Sequence, residues 1–247
     1  MLDFQFSGKK LLPTVIAVLV LMFALYIGVG EFMGTVNNTP LVAEPPPGGS
    51  HIVANTARMI ERELDSGFCP SAVLWPGHIR DDTCGFQEGE QQILQRTVMQ
   101  LSDHLTREGP TSDRDPDLNA VLANVNRPNT WSLLFSANNT ASILGKAVTS
   151  LDHYNQRLQD NKAKFYPRID NLSLLIGDVT NILGSEAKQL QEKASGTGLY
   201  SMQARKAYFH TLGTMAAACW IASVNSSRRS IKLFCSMSIY PLRTLAA

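Results

Sequence analysis

The sequence lacks the short motifs that mark the common classes of enzyme. Its four cysteines form no Cys-x-x-Cys pair, which removes the support for zinc-ribbon and thioredoxin-like interpretations. It contains no Gly-x-Ser-x-Gly, His-Glu-x-x-His, P-loop or dinucleotide-binding glycine motif. No stretch alternates convincingly between apolar and polar residues as a β-strand does. These absences leave a helical protein without a catalytic signature, and we expect no cofactor.

Charged residues are scarce, at 17% of the 247 residues, and they are unevenly distributed. Residues 193–247 contain seven basic residues and no acidic one, whereas residues 31–192 carry 20 acidic and 13 basic residues. Such an asymmetry needs an explanation. The basic segment could be attracted to anionic lipid headgroups, or it could be a non-native ending produced by a shifted reading frame or a truncation. Nucleic acid is not an expected partner.

The longest apolar stretch, residues 11–30, organises the rest of the chain. It contains no charged side chain, and twelve of its twenty residues are Leu, Ile, Val or Phe. Twenty helical residues span about 30 Å, the thickness of the hydrocarbon core of a bilayer. Lys9 and Lys10 precede the stretch, so residues 1–10 are predicted to be cytoplasmic and the bulk of the chain translocated. We predict a single transmembrane signal anchor; a cleaved signal peptide is the alternative.

After the anchor, the pattern predicts a linker and then an all-α domain. Residues 36–50 contain four prolines and two glycines, which is typical of a spacer, and we assign residues 31–49 to the linker. Apolar residues then recur at helical spacing through residues 50–192. Ser50 is a predicted N-cap, and Asp115 followed by Pro116 opens a further helix. The prediction is an extracytoplasmic helical bundle.

Two later features divide the helical pattern. A break at Tyr166 and Pro167 separates two amphipathic helices, of which the second starts near Leu172 and ends near Gly184, and this pair predicts an antiparallel hairpin. The apolar segment 208–224 is either a second membrane span or a buried helix. A buried helix is favoured because the segment is only 17 residues long.

Residues 67–89 hold the densest collection of unusual residue types, and their prolines and glycines predict irregular structure. Cys69 and Cys84 lie fifteen residues apart within them. Outside the cytoplasm the two cysteines could form a disulfide, which would stabilise the domain by about 3 kcal/mol in the chain-entropy model. Two buried free thiols are the alternative.

The same segment contains the candidates for chemistry. His78, Asp81 and Asp82 would be the catalytic groups of an envelope hydrolase or a metal-dependent enzyme, provided that they converge in one concave pocket. A metal site is not predicted, because the spacing of the Cys, His and Asp residues matches no established ligand pattern. Glu88 and Glu90 are expected at a solvated surface near a helix N-terminus.

Several short segments carry a family likeness. They are residues 115–118 (DPDL), 129–134 (NTWSLL), 151–158 (LxxYxxRL) and, most specifically, 165–172 (FYPRIDNL). Over about residues 8–190 the chain resembles a family of uncharacterised proteobacterial membrane-anchored proteins, known only as a domain of unknown function. The resemblance implies a bacterial inner-membrane protein with a helical periplasmic body, and it implies no activity. Because family members continue through further acidic helices, the departure near residues 208–223 favours a non-native ending.

Together these patterns predict a membrane-tethered helical protein that works by binding, as a scaffold or assembly factor of the cell envelope. The expected partners are the lipid bilayer and other envelope proteins. An envelope enzyme that uses residues 67–89 is the alternative.

Overall fold

The computed structural model describes residues 8–33, 36, 39, 41, 43–69, 81–107, 112–128, 139–166, 168–197 and 202–222. These residues contain helices and no strand, which confirms the predicted all-α class. The helices are α1 (Gly8–Met33), α2 (His51–Asp65), α3 (Asp81–Gln100), α4 (Pro116–Val125), α5 (Thr140–Gln159), α6 (Ile169–Thr197) and α7 (Met202–Ala222). A π-helical turn, Leu101–Leu105, continues α3.

Helices α2 to α7 share one apolar core. α3 packs against α7, α2 and α4 pack against α5, and α6 packs against α7 and α3. Fully burying a large apolar side chain stabilises a protein by about 1.5 to 3 kcal/mol, so the core side chains dominate the stability. The largest come from α2, α3, the π-helical turn, α4 and α5, and include Met59, Phe86, Ile93, Leu101, Leu105, Leu118, Leu151 and Tyr154. The predicted α5–α6 hairpin is wrong, because the two helices pack against different neighbours.

The predicted end of α6 at Gly184 is also wrong. α6 runs from Ile169 to Thr197, and a Cβ atom at Gly184 would have nothing within 4 Å. A helical glycine costs only about 1 kcal/mol relative to alanine, which is too little to end a helix that packs against two others. The apolar segment from residue 208 lies in α7, where Ala217 and Trp220 are buried. Residues 223–247 lie outside the described part of the chain.

α3 begins earlier than the sequence predicts, so residues 81–89 are helical rather than irregular. The glycines that suggested a loop instead permit a close crossing with α7. A Cβ atom on Gly85 would lie 2.9 Å from the carbonyl oxygen of Lys206, and one on Gly89 would lie 2.8 Å from the backbone nitrogen of Thr214. A Cβ atom on Gly213 would collide with the backbone of α3. Glycine is needed here for the approach of two backbones.

The π-helical turn after α3 is fastened by the segment with the most specific family likeness. The carbonyl oxygen of Leu105 accepts a hydrogen bond from the backbone nitrogen of Tyr166 at 2.6 Å. The carbonyl oxygen of His104 accepts one from the Asn171 side chain, also at 2.6 Å. These bonds satisfy carbonyl groups at the end of a helix, which would otherwise need water.

Two other segments with the family likeness meet at the start of α4. Asp115 caps the helix by accepting a hydrogen bond from the backbone nitrogen of Asp117 at 3.0 Å. Arg157 of α5 forms ion pairs with Asp115 and with Asp117, the latter at 2.6 Å. His153 Nδ1 lies 2.8 Å from Asp117. These two segments of the resemblance therefore join α4 to α5.

α1 differs from the other helices because its side chains are not packed. Every side chain described in it, from Pro13 to Val29, is exposed. Bulky apolar residues are among them, such as Leu19 and Phe23, which are 59% and 65% exposed. Within the residues described above, no helix presents a stretch that is both long and apolar enough to cross a membrane.

Candidate functional site

Cys69 and Cys84 lie together beside the first turn of α3. They are joined as a disulfide, with their Cα atoms 5.4 Å apart. The Gln87 side chain holds the same region, because its oxygen accepts a hydrogen bond from the backbone nitrogen of Cys69 at 2.8 Å and its nitrogen donates one to the Gly67 carbonyl at 3.3 Å. The structure thus places the cysteines as a bonded pair, and their oxidation in the cell stays a prediction.

Of the three candidate catalytic residues, only Asp82 has a described side chain. It is 5% exposed, and its two oxygens accept hydrogen bonds from Arg205 of α7 at 2.7 and 2.6 Å. This bidentate pair engages both oxygens of the carboxylate and joins α3 to α7, which is a structural role. His78 and the side chain of Asp81 lie outside the described residues, so the convergence that the enzyme hypothesis requires stays a prediction.

No metal centre is found among the side chains that the structure describes. They contain no group of three or more His, Cys, Asp or Glu residues that could hold a metal ion. Three of the residues considered for such a site have described partners: Asp82 pairs with Arg205, and Cys69 is bonded to Cys84.

A buried polar cluster joins α2, α3 and α7. The guanidinium of Arg62 lies 3.7 Å from the centre of the Trp220 ring, in a cation–π arrangement. The same group forms ion pairs with Glu90 at 2.8 Å and with Glu63 at 3.2 Å. One cation therefore compensates two carboxylates in the interior, an arrangement that favours keeping a proton on one of them.

Glu90 is the member of this cluster whose pKa departs from its ordinary value. Burial raises its pKa well above the usual range, and the neighbouring carboxylate of Glu63 raises it further, while Arg62 lowers it. The predicted surface position of Glu90 is wrong, whereas Glu88 is exposed as expected. A helix drawn through Gly89 would have placed Glu90 on the same face as Phe86 and Ile93, and this signal was in the sequence.

A cleft of about 420 Å³ with charged walls lies between α6, α7 and α3, and we call it the α6–α7 cleft. Its polar lining residues are Glu88, Glu186, Gln189, Lys193, Lys206, His210 and Thr211. His210 Nδ1 lies 2.8 Å from a Glu186 oxygen, and Lys206 Nζ lies 2.9 Å from a Glu88 oxygen. A carboxylate on one ring nitrogen fixes the orientation of a histidine and leaves the other nitrogen for a different partner.

Sequence reasoning missed the α6–α7 cleft. Glu186 lies beyond Gly184, where α6 was predicted to have ended, and His210 lies in a segment that was interpreted only through its apolar residues. The two residues are 24 positions apart, on different helices. A histidine and a glutamate at that spacing give no signal until the packing of α6 against α7 is known.

The described part of the protein is an all-helical domain. Most of its described ion pairs join one helix to another. A family model matches residues 37–216, and the chain belongs to that family, described as an uncharacterized protein conserved in bacteria (DUF2333). The match confirms the resemblance drawn from the sequence and extends beyond the predicted limit near residue 190. It begins after α1. No curated protein and no solved structure matches the chain.

Proposed function

We propose that the protein is a membrane-tethered helical scaffold of the bacterial cell envelope. In this proposal α1 is held in the inner membrane, residues 1–10 are cytoplasmic, and the body formed by α2 to α7 lies in the periplasm. The observation that carries the proposal is the contrast between an apolar α1, whose described side chains (Pro13 to Val29) are all exposed, and a body that buries its own apolar residues.

The sequence around α1 supports a role in the bilayer. The apolar run continues beyond the side chains that the structure describes, from residue 11 to residue 30. Its twelve Leu, Ile, Val and Phe residues favour insertion by roughly 4 to 7 kcal/mol, an upper value that treats all of them as central. Lys9 and Lys10 precede the run, and the next basic residue is Arg58, so the charge bias supports a cytoplasmic N-terminus.

The body would lie close to the membrane surface. The linker is already attached to the body near its end, because Asn155 accepts a hydrogen bond from the backbone nitrogen of Ser50 at 2.6 Å and Asn55 accepts one from that of Ala43 at 2.7 Å. Arg62 donates to the carbonyl oxygen of Thr39 at 3.2 Å. Only six residue steps separate Met33 from Thr39, which limits their separation to about 20 Å.

A binding role is better supported than an enzymatic one by the described contacts. Asp82 is engaged by Arg205, and the family motifs contribute Asp115, Asp117 and Arg157 to the joint between α4 and α5. The Cys69–Cys84 bond is of the kind that persists outside the cytoplasm. The expected partners are lipid and other envelope proteins.

Topology reporters test the tether. Alkaline phosphatase fused after Gly48 should be active, and a green fluorescent protein fused at the same position after the same anchor should stay dark. The matched control replaces Lys9 and Lys10 by alanine, which should weaken the orientation bias. A fluorescent, phosphatase-inactive pair of fusions would contradict the proposal.

Site-specific crosslinking tests the scaffold role. A photoreactive residue at Leu174 or Ile176, which are 50% and 56% exposed on α6, should give a discrete adduct with an envelope protein in intact cells. The same residue at Lys162, an exposed position in the α5–α6 connection, is the control for random collisions. If scanning the exposed positions of α2 to α7 gives no discrete adduct, the scaffold role is wrong.

A further inference from the structure

We propose that a second copy of the chain docks on the outer face of α6, with the two α6 helices antiparallel about a twofold axis. The outer face lies opposite the buried Leu175 and Glu186, and its positions alternate by four and three along the helix, which places them in one row. All of its members are exposed: Asp170, Leu174, Gly177, Asn181, Gly184 and Lys188. The inference rests on the proposed function and deepens it, because it names the chain itself as a partner of the scaffold.

Exposed apolar side chains of the body are concentrated on this helix. Among the described residues outside α1, the large apolar side chains that are exposed are Ile169, Leu174 and Ile176 of α6 and Met99 of α3. Leu174 belongs to the outer face itself and is 50% exposed, whereas Ile169 and Ile176 lie to one side of the row. Such a concentration on one helix is typical of a surface that another protein covers.

The charged members of the outer face lie at its two ends. Asp170 is in the first turn of α6, and Lys188 follows about 27 Å further along the helix. The Asp170 carboxylate forms no ion pair with a side chain that the structure describes. Lys188 pairs with Glu192 at 3.9 Å, but both side chains are largely exposed, so this pair is weak. A reversed second copy brings Asp170 opposite Lys188 at both ends and adds two ion pairs across the interface.

The same alignment makes the rest of the outer face complementary in shape. When the acidic end of each helix lies against the basic end of the other, Leu174 lies opposite Gly184 of the second copy. Asn181 then lies opposite Gly177. A Cβ atom on either glycine would have nothing within 4 Å, so each glycine leaves room for the larger side chain that faces it. Because the charges alone set the register, the match of Leu174 to Gly184 supports it independently.

The partner is a second copy because the outer face is complementary to its own reverse, as a twofold interface requires. The antiparallel alignment also sets the two helix dipoles in opposite directions, which is favourable. The contact is small, because a helix face of about 27 by 10 Å covers about 300 Å² per copy, compared with about 800 Å² in a stable interface. We therefore expect association where the anchor confines the copies to one membrane and raises their effective concentration, and dissociation on dilution in detergent.

Thiol crosslinking in intact cells tests the interface. The full chain carries Asn181→Cys in a background with Cys219→Ala and Cys235→Ser, and the cells are treated with a short bismaleimide. In the antiparallel register the two copies of residue 181 lie about 6 Å apart along the helices, so the reagent should join them into a dimer. Ala187→Cys is the matched control, because it is exposed on the same helix but its two copies would lie about 24 Å apart. We expect a dimer from the first variant and none from the second.

Exchange of the two charges tests the register. Asp170→Lys or Lys188→Asp alone sets like charges against each other at both ends, and each should lower the yield of the residue-181 dimer about fivefold. The double variant recreates both opposite pairs in reversed order and should restore the yield. Lys162→Asp changes an exposed residue outside α6, so it is the control for net charge and should leave the yield unchanged.

Circular dichroism melting confirms that each purified variant is folded, and a carbonate wash of the membranes from the treated cells tests the anchor separately. Release of the protein by the wash refutes the tether, whereas absence of the residue-181 dimer in intact cells refutes the interface, whichever fraction holds the protein. The interface is also wrong if Ala187→Cys gives as much dimer as Asn181→Cys, or if the double charge variant fails to restore the yield. An adduct of Asn181→Cys with a different envelope protein, and none with a second copy, would equally overturn it.

Discussion

Two apolar helices of this chain, α1 and α7, differ in the burial of their side chains. Both are rich in apolar residues and poor in acidic ones. In α7, residues such as Ala217 and Trp220 are buried, whereas every described side chain of α1 is exposed. Apolar composition alone therefore does not decide whether a segment enters the core of the body.

The difference lies in what each helix offers to a neighbour. Gly213 of α7 lies against the backbone of α3, and Gly85 and Gly89 of α3 lie against the backbone of α7, so the two backbones approach closely. Two threonine hydroxyls of α7 are satisfied within the helix, because Thr211 donates to the Ala207 carbonyl and Thr214 to the His210 carbonyl, each at 2.9 Å. α1 instead carries mostly large apolar side chains, and those that the structure describes, such as Leu19 and Phe23, are exposed.

The largest predicted effect comes from adding a side chain at the close crossing of α3 and α7. Gly89→Ala would push a methyl group into the carbonyl oxygen of His210 and to within 2.8 Å of the Thr214 nitrogen. Because these are backbone atoms, the helices must separate, and we expect the free energy of unfolding to fall by about 3 kcal/mol, the upper end of the usual cost of overpacking. Denaturant unfolding monitored by circular dichroism measures this loss. A change under 1 kcal/mol would contradict the close crossing.

A second prediction concerns the charge pair between the same helices. Arg205→Met leaves the buried Asp82 carboxylate without its bidentate partner, and we expect a loss of about 1 to 3 kcal/mol, discounted because the Arg205 side chain is 48% exposed. Lys206→Met removes a half-exposed pair between the same helices and should change stability by less than about 0.5 kcal/mol. Equal effects of the two variants in denaturant unfolding would contradict the assignment of Asp82 as the buried partner.

A third prediction follows from the raised pKa of Glu90. Below the ordinary pKa of 4.5 both the folded and the unfolded states hold the proton. Above it the unfolded state releases the proton and the folded state keeps it, so the free energy of unfolding falls as the pH rises. The slope is at most about 1.4 kcal/mol per pH unit and ends once the folded-state pKa is passed.

Glu90→Gln should remove this part of the pH dependence and raise the melting temperature at pH 8 relative to the parent. Glu88→Gln is the matched control, because it is two residues away on the same helix but exposed, and it should preserve the slope. Melting curves between pH 5 and pH 8 measure both variants. A slope that survives Glu90→Gln would show that Glu90 does not hold the proton.

The smallest predicted effect is that of Gly184→Ala, which we compare with Gly89→Ala. Gly184→Ala places a methyl group in open space on α6 and should stabilise the protein by about 0.5 to 1 kcal/mol, since alanine has the better helix propensity. Its opposite sign to Gly89→Ala distinguishes a helical glycine that is needed from one that is tolerated. Thermal melts of the two variants, run side by side, provide the check.

The sequence correctly predicted the helix starts that are set by residues at the start itself. Ser50 does precede α2, and Asp115 and Pro116 do start α4. Within the helical pattern predicted for residues 50–192, Leu144, Leu151 and Tyr154 are buried in α5. These features depend on neighbours a few positions away, which a single sequence displays.

The errors concern features that depend on distant contacts. Gly85 and Gly184 look alike in sequence, yet one lies against a carbonyl of α7 and the other lies in the open. The burial of Glu90 depends on Arg62, which is 28 positions earlier. The cleft depends on α6 running past Gly184 to bring Glu186 to His210. Only the packing of the helices brings these residues together.

The claim that α1 is the membrane segment, and α7 is not, has one most direct measurement: whether the protein stays in the membrane pellet after carbonate washing of cell membranes. We expect the parent protein to remain in the pellet and the variant Val18→Arg with Leu21→Arg to be released. Two central arginines cost about 5 to 7 kcal/mol, enough to cancel the gain from the apolar run. Release of the parent protein by carbonate would contradict the account.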